Sequence, residues 1–139
     1  MISHAMMFTR IDQLKARLDA QRPLPAATLA SLREDLILRW TYHSNAIEGN
    51  TLTLLETKVV LEGITVGGKA LREHFEAINH RNAIYYAEDI IKNEEPFSEW
   101  QIRNIHQLIL KTIDDDNSGR YRQQNVLTSG ATTILSTAF

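Results

Sequence analysis

The sequence predicts an all-α fold with one short extended segment near its C-terminal end. Apolar residues recur three and four positions apart over most of the chain, which is the spacing of one helix face. Capping residues, prolines and glycines divide this pattern into separate helices. The helical spacing is lost after the stretch Asp114–Gly119, and the 139 residues suit a single domain with a modest core.

Two helices are predicted before residue 50. The first ends at the Arg-Pro-Leu-Pro stretch of residues 22–25. Pro25 suits the first position of the second helix, because its missing N–H costs nothing there. Gly49 and Asn50 then form a helix stop. Each helix has an apolar stripe: Ile11, Leu14 and Leu18 on the first, and Leu29, Leu32, Leu36, Trp40 and Ile47 on the second.

Three further helices follow. Thr53 and Glu56 form a capping box, which predicts a short helix that ends before Gly63. A longer helix is predicted over Lys69–Lys92, and a capping Ser98 begins the last one. The apolar positions of these last two helices are Leu71, Phe75, Ile78, Tyr85, Ile90, Ile102, Ile105 and Ile109.

The segment Tyr121–Thr128 is interpreted as extended and hairpin-like, since glycines flank it and helical spacing is absent. On a strand, Arg120 and Arg122 would share one face and Tyr121 would occupy the other. The residues alone leave two interpretations open, a substrate-facing edge and an ordinary exposed hairpin.

Composition excludes several classes of protein. The 15 basic and 17 acidic residues provide no basic field, so we expect no nucleic-acid partner. The chain has no cysteine, which excludes disulfides and makes a cytoplasmic location the expectation. Its apolar runs are only a few residues long, so we expect no membrane span.

Two motifs nearly match ligand-binding loops. The stretch Gly63–Ala70 resembles a phosphate-binding loop, but Ala70 replaces the Ser or Thr whose hydroxyl holds Mg²⁺. The run that begins at Asp114 resembles a calcium loop, but Asn125 replaces its bidentate Glu. The histidines lack the spacing of a metal set, so structural roles are favoured and no metal site is expected.

One carboxylate is placed where a helix disfavours it. Glu48 is predicted in the last turn of the second helix, where exposed carbonyls cost an anion about 0.3–1 kcal/mol. Ser44 lies four residues earlier on the same face, and Gly49 removes a side chain beside the carboxylate. Two interpretations remain open, a tolerated surface Glu and a Glu that binds a cation from elsewhere.

The pattern Ser44-x-x-x-Glu48-Gly49 resembles the [S/T]-x-x-x-E-[G/N] inhibitory-helix motif of Fic (Fido-fold) proteins. Similarity to that family extends from about Ile11 to Ala131. The similar segments, in the family's order, are IEGNTLTLLET, LEGITVGGKALREHFEAINHRNA, HQLIL and GRYRQQNVLTSGA.

The resemblance implies a helical Fic core with a small β-hairpin flap, and AMP transfer from ATP–Mg²⁺ to a hydroxyl of a target protein. Ser44, Glu48 and Gly49 would be inhibitory, with Glu48 paired to an arginine of the nucleotide site in the space of the ATP γ-phosphate. The flap would hold the target's backbone by strand addition. Its target-binding residues would be Arg120, Tyr121, Arg122, Val126, Leu127 and Thr128.

The family's catalytic signature, H-x-F-x-[D/E]-G-N-G-R, does not occur in the sequence. We therefore expect a Fic core truncated before that motif, with no catalytic residue and no bound ATP or Mg²⁺. Residues 1–52 are interpreted as an N-terminal region with the inhibitory helix, and residues 53–139 as a partial core with the flap, packed with it as one domain. The exposed faces of the last two helices are expected to cause self-association, unless the C-terminal residues ILSTAF cover that surface.

The leading hypothesis is the inactive N-terminal portion of an autoinhibited protein adenylyltransferase. One alternative is an antitoxin-like module that supplies Glu48 in trans to a separate Fic enzyme. A helical interaction domain with a chance resemblance is the other.

Overall fold

A computed structural model describes the backbone of residues 4–127 and 134–135, and the side chains of residues 8–125. Helices dominate these ranges, which confirms the predicted all-α fold. In chain order the elements are α1 (His4–Asp19), α2 (Ala26–Ile47), α3 (Leu54–Leu61), α4 (Leu71–Lys92), α5 (Glu99–Leu110), β1 (Val126–Leu127) and β2 (Ile134–Leu135).

The chain divides into two compact units, Met1–Asp35 and Leu36–Phe139. In the first unit, the predicted stripe of α1 is about half exposed, with Leu14 at 50%. Asp19 accepts a 2.6 Å hydrogen bond from Lys15 one turn earlier on α1. The division of roles at residue 52 stays a prediction.

The core of the second unit forms where α3 packs against α4. Leu52, Val60 and Ala77 are its buried members, and half-buried side chains of α3, α4 and the loop between them surround these three. Ala77 is completely buried, which suits close helix approach because its side chain is small.

Helix α4 buries polar residues that apolar spacing did not predict. It packs against both α3 and α5, so more than one of its faces is covered. Asn79 is buried, and its Nδ2 donates to the carbonyls of Ile109 at 3.1 Å and Lys111 at 2.7 Å. These carbonyls lie at the end of α5, where the last carbonyl groups of a helix have no N–H partner within the helix itself.

Leu71 of α4 and the stripe of α2 differ from the prediction. Leu71 is 65% exposed because it is the first residue of α4. On the part of α2 in the second unit, Trp40 is exposed while Ile37 and Thr41 are buried. The buried face is therefore rotated by one residue from the predicted stripe. The prediction missed this because it counted only apolar residues, and Thr41 is polar.

The extended segment was predicted to begin at Tyr121, and this start is wrong. Residues 121–125 belong to no strand, and β1 begins only at Val126. It pairs antiparallel with β2, placing Val126 opposite Leu135 and Leu127 opposite Ile134. Thr128 lies outside the described residues.

Exposed apolar side chains occur on α5, where Trp100 is 64% exposed. Self-association through such faces stays a prediction, which sedimentation of the purified chain would check. In the part of the chain that the structure describes, no helix combines the length and apolar character that crossing a membrane requires.

Candidate functional site

Helix α2 ends one residue before Glu48, so this carboxylate follows the helix rather than occupying its last turn. The N–H groups of Glu48 and Gly49 donate to the carbonyls of Asn45 and Ala46, both at 3.1 Å. Gly49 has φ +95°, a conformation that costs glycine little and other residues more. The glycine thus closes the helix and directs the chain away from it.

The Glu48 side chain is exposed, and no ion pair involving it occurs among the described residues. Ser44, one turn earlier, is half-buried. A Cβ at Gly49 would meet no heavy atom within 4 Å, so open space adjoins this glycine. The arrangement presents a carboxylate that a cation can approach.

Asn50 anchors the chain immediately after this turn. Its Nδ2 donates to the Glu73 carbonyl at 3.0 Å and to Glu76 Oε2 at 2.9 Å, both on α4. Its Oδ1 accepts the N–H of Leu52 at 3.0 Å. One side chain therefore links the end of α2, the core residue Leu52 and the first turns of α4.

Thr51 adds a second link to the same end of α4. Its N–H and hydroxyl both donate to Glu73 Oε1 at 2.6 Å. Glu73 Oε2 accepts the N–H of Ala70 at 3.0 Å, which occupies both carboxylate oxygens. Lys69 donates to the Thr51 carbonyl at 2.6 Å and lies 3.6 Å from Glu56.

These contacts favour the charged carboxylates. Hydrogen bonds from the hydroxyl and N–H of Thr51 lower the pKa of Glu73. The hydrogen bond from the N–H of Thr53 likewise lowers the pKa of Glu56. This bond is one of the two in the predicted capping box. Folding stability from Glu73 is thus fully present above the unfolded pKa of about 4.3 and is lost as pH falls through the lower folded pKa.

We expect Glu73→Gln to flatten the acid dependence of stability. Below about pH 4.3 the free energy of unfolding of the unmodified chain should decrease more steeply than that of the variant. Thr51→Val, which removes one donor to Glu73, should flatten the slope partly. Urea denaturation at a series of pH values measures the free energy of unfolding. If it depends on pH equally steeply in the unmodified chain and in Glu73→Gln, Glu73 is not the source of the acid dependence.

A partly buried contact joins the second-unit part of α2 to α4. The Thr41 hydroxyl and His80 Nδ1 lie 3.0 Å apart, and the Trp40 ring meets the His80 ring edge-on at 5.9 Å. Burial lowers the pKa of His80, so its neutral form is favoured. The contact helps to set the position of the α2 end that bears Glu48.

Residues 120–122 form the second predicted site. Arg120, Tyr121 and Arg122 are exposed and lie in irregular backbone. The expectation that the two arginines share a strand face is therefore wrong, because no strand passes through them. Val126 and Leu127 belong to β1, whose side chains lie outside the described set.

No family model matches the chain. It is 32% identical over 123 residues to protein adenylyltransferase Fic of Nematostella vectensis, covering 86% of this chain and 29% of that protein. It is also 30% identical over 125 residues to protein adenylyltransferase Fic of Culex quinquefasciatus, covering 88% of this chain and 25% of that protein.

A solved Fic domain-containing signalling protein from Bacteroides thetaiotaomicron superposes with a TM-score of 0.77 at 30% identity, over 86% of this chain and 46% of that one. Fic-1 from C. elegans superposes with a TM-score of 0.75 at 27% identity, over 85% of this chain and 36% of that one. The chain belongs to the Fic family. It spans between a quarter and a third of the curated relatives' length.

In this Fic-family chain, the predicted site residues form two separate sets. Ser44, Glu48 and Gly49 lie together at the end of α2, while Arg120–Arg122 lie beside α5. Sequence reasoning missed Glu73 and His80, whose partners are 22 and 39 residues distant. No local pattern in the sequence points to these two residues, because their partners lie on other elements.

Proposed function

We propose that the chain is the N-terminal portion of an autoinhibited Fic-type protein adenylyltransferase. The observation that supports it most is the exposed Glu48 carboxylate, which directly follows α2 and precedes a segment tied to α4 by Asn50 and Thr51. In the complete enzyme Glu48 binds an arginine of the nucleotide site. A cytoplasmic location is part of the proposal.

Electrostatics makes an arginine the fitting partner of Glu48. Carbonyl groups at the end of α2 add partial negative charge beside the carboxylate. A guanidinium presents two parallel N–H donors to a carboxylate, and a bonded arginine would relieve that repulsion. The open space beside Gly49 leaves room for the approach.

The catalytic signature with which the family holds ATP–Mg²⁺ does not occur in this sequence. No group of three His, Asp or Glu side chains suited to a metal occurs among the described residues. The Gly-Asn-Gly phosphate loop of the family signature is also absent from the sequence. The chain accordingly contributes the inhibitory carboxylate and the flap segment, and the base, metal ligand and phosphate loop must come from the rest of the fold.

Fragment complementation tests the proposal. The purified chain is mixed with the part of the Bacteroides thetaiotaomicron protein that it does not match, and labelled ATP is added. We expect a one-to-one complex in sedimentation and weak transfer of labelled AMP to protein, since the apolar faces of α4 and α5 would be covered by that part. The chain alone should transfer none. Failure to form a complex, or transfer by the chain alone, would overturn the proposal.

The exposure of Glu48 also supports a second candidate function, inhibition of a separate Fic enzyme in trans. Here the chain, added to a Fic enzyme that lacks an inhibitory helix, should reduce AMP transfer, and Glu48→Gly should not. Inhibition of equal size by both forms would exclude this role for Glu48.

A further inference from the structure

A groove of about 460 Å³ lies between α5 and the segment that follows it. We call it the arginine groove and define it by Arg103, His106, Arg120, Tyr121 and Arg122. Its volume is enough for a few side chains of a bound peptide. Tyr121 is 41% exposed, so an aromatic surface lies beside the basic groups.

Gly119 holds the two walls of the groove together. Its N–H donates to His106 Nδ1 at 3.0 Å, and its carbonyl accepts from Arg103 Nε at 2.8 Å. A Cβ at Gly119 would lie 3.2 Å from Gln107 Cβ, and the φ of +66° already favours glycine. Both backbone groups of Gly119 are thus bound to α5, which places Arg120 at the groove next to Arg103.

The groove is positively charged although the chain has a net charge of −2. Three arginines line it, against one carboxylate, Asp114. That carboxylate is bonded to Asn117, whose Nδ2 lies 2.8 and 3.1 Å from its two oxygens. Arg103 lines the groove and uses its Nε for the Gly119 carbonyl, a bond that does not involve its two terminal nitrogens.

We propose that the arginine groove binds an acidic segment of a protein partner, with carboxylates paired to Arg103 and Arg120. Guanidinium groups bind carboxylates through paired charge-assisted hydrogen bonds, which gives orientation as well as affinity. The inference rests on the proposed function in one respect: the partner is then the target of AMP transfer, and the groove selects targets with acidic residues near the modified hydroxyl.

An acidic peptide fits the charge pattern better than a nucleic acid does. Nucleic-acid binding depends on a broad basic surface that neutralises many phosphates. Here three arginines line one groove of about 460 Å³, and the chain as a whole has a net charge of −2, so no broad basic surface surrounds them. A short peptide with a few carboxylates carries about as many negative charges as the groove has arginines.

Fluorescence anisotropy of the chain alone tests the proposal without ATP. The probe is a labelled peptide of alternating glutamate and valine with one threonine, compared with the same peptide carrying glutamine instead of glutamate. We expect the acidic peptide to bind roughly ten-fold more tightly, as one charge-assisted hydrogen bond of the usual strength provides. Added salt should reduce the difference.

Arg120→Gln should weaken binding of the acidic peptide roughly ten-fold. Arg72→Gln is the matched control, since Arg72 is an exposed arginine on α4 that pairs with Glu76. Circular dichroism of each variant shows that the fold is retained. Equal affinity for both peptides, equal effects of both substitutions, or tighter binding of a single-stranded oligonucleotide would overturn the proposal. The complementation assay of the proposed function would be unaffected by that failure.

Discussion

Glu48→Gly is expected to raise AMP transfer roughly ten- to hundred-fold in the complex of this chain with the catalytic part of a Fic protein. The unmodified carboxylate would hold the nucleotide-site arginine by charge-assisted hydrogen bonds, each worth about 1.5–3 kcal/mol. Losing them frees both the guanidinium and the space beside it. Transfer of labelled AMP to protein, at saturating ATP, measures the increase.

The chain contains a matched control for this substitution. Glu62 is also the first residue after a helix, is exposed, and precedes a glycine with φ +88°. Glu62→Gly should therefore leave AMP transfer unchanged if the effect belongs to Glu48 itself. Glu48→Gln separates charge from size. An equal increase with Glu62→Gly, or none with Glu48→Gly, would remove the inhibitory role.

Leu52→Ala is expected to destabilise the chain by about 2–5 kcal/mol, the largest effect on stability that we predict. Leu52 is 4% exposed and belongs to the core cluster with Val60 and Ala77. Truncation removes buried methyl groups and leaves a cavity that helices α3 and α4 cannot fully close. The midpoint of urea denaturation, followed by circular dichroism, measures the change.

Leu55→Ala is the control for Leu52→Ala. Leu55 lies three residues later, in the first turn of α3, and is 71% exposed. Removing the same atoms there should change the free energy of unfolding by about 0.5 kcal/mol or less. Similar destabilisation by both substitutions would show that the cluster around Leu52 is not the core.

Local signals predicted the helix ends well. The capping box of Thr53 and Glu56 appears as expected, with bonds of 2.7 and 3.2 Å. Gly63 and Gly68 have φ of +88° and +78°, in the loop predicted to separate α3 from α4. Ser98 begins the last helix, and its N–H donates to Gln101 at 2.7 Å. Such features depend on residues a few positions apart, so their types and spacing suffice.

Burial was predicted less well. Apolar spacing favoured Leu36 and Trp40 as core residues, whereas both are exposed and Thr41 is buried. A helix can satisfy a buried hydroxyl or amide through a distant partner, as Thr41 does through His80 and Asn79 through α5. The sequence does not show those partners, because they are 30 or more residues distant.

The sequence by itself determined the order of the helices, their caps and stops, and the presence of Glu48 and Gly49 at a helix end. Only the tertiary structure decided that Asn50 and Thr51 tie this end to α4, and that Gly119 brings Arg103 and Arg120 to one groove. The physical reason is the distance along the sequence between the residues that interact. Caps and turns are set by neighbouring residues, whereas burial and side-chain partnerships arise only when distant segments pack together.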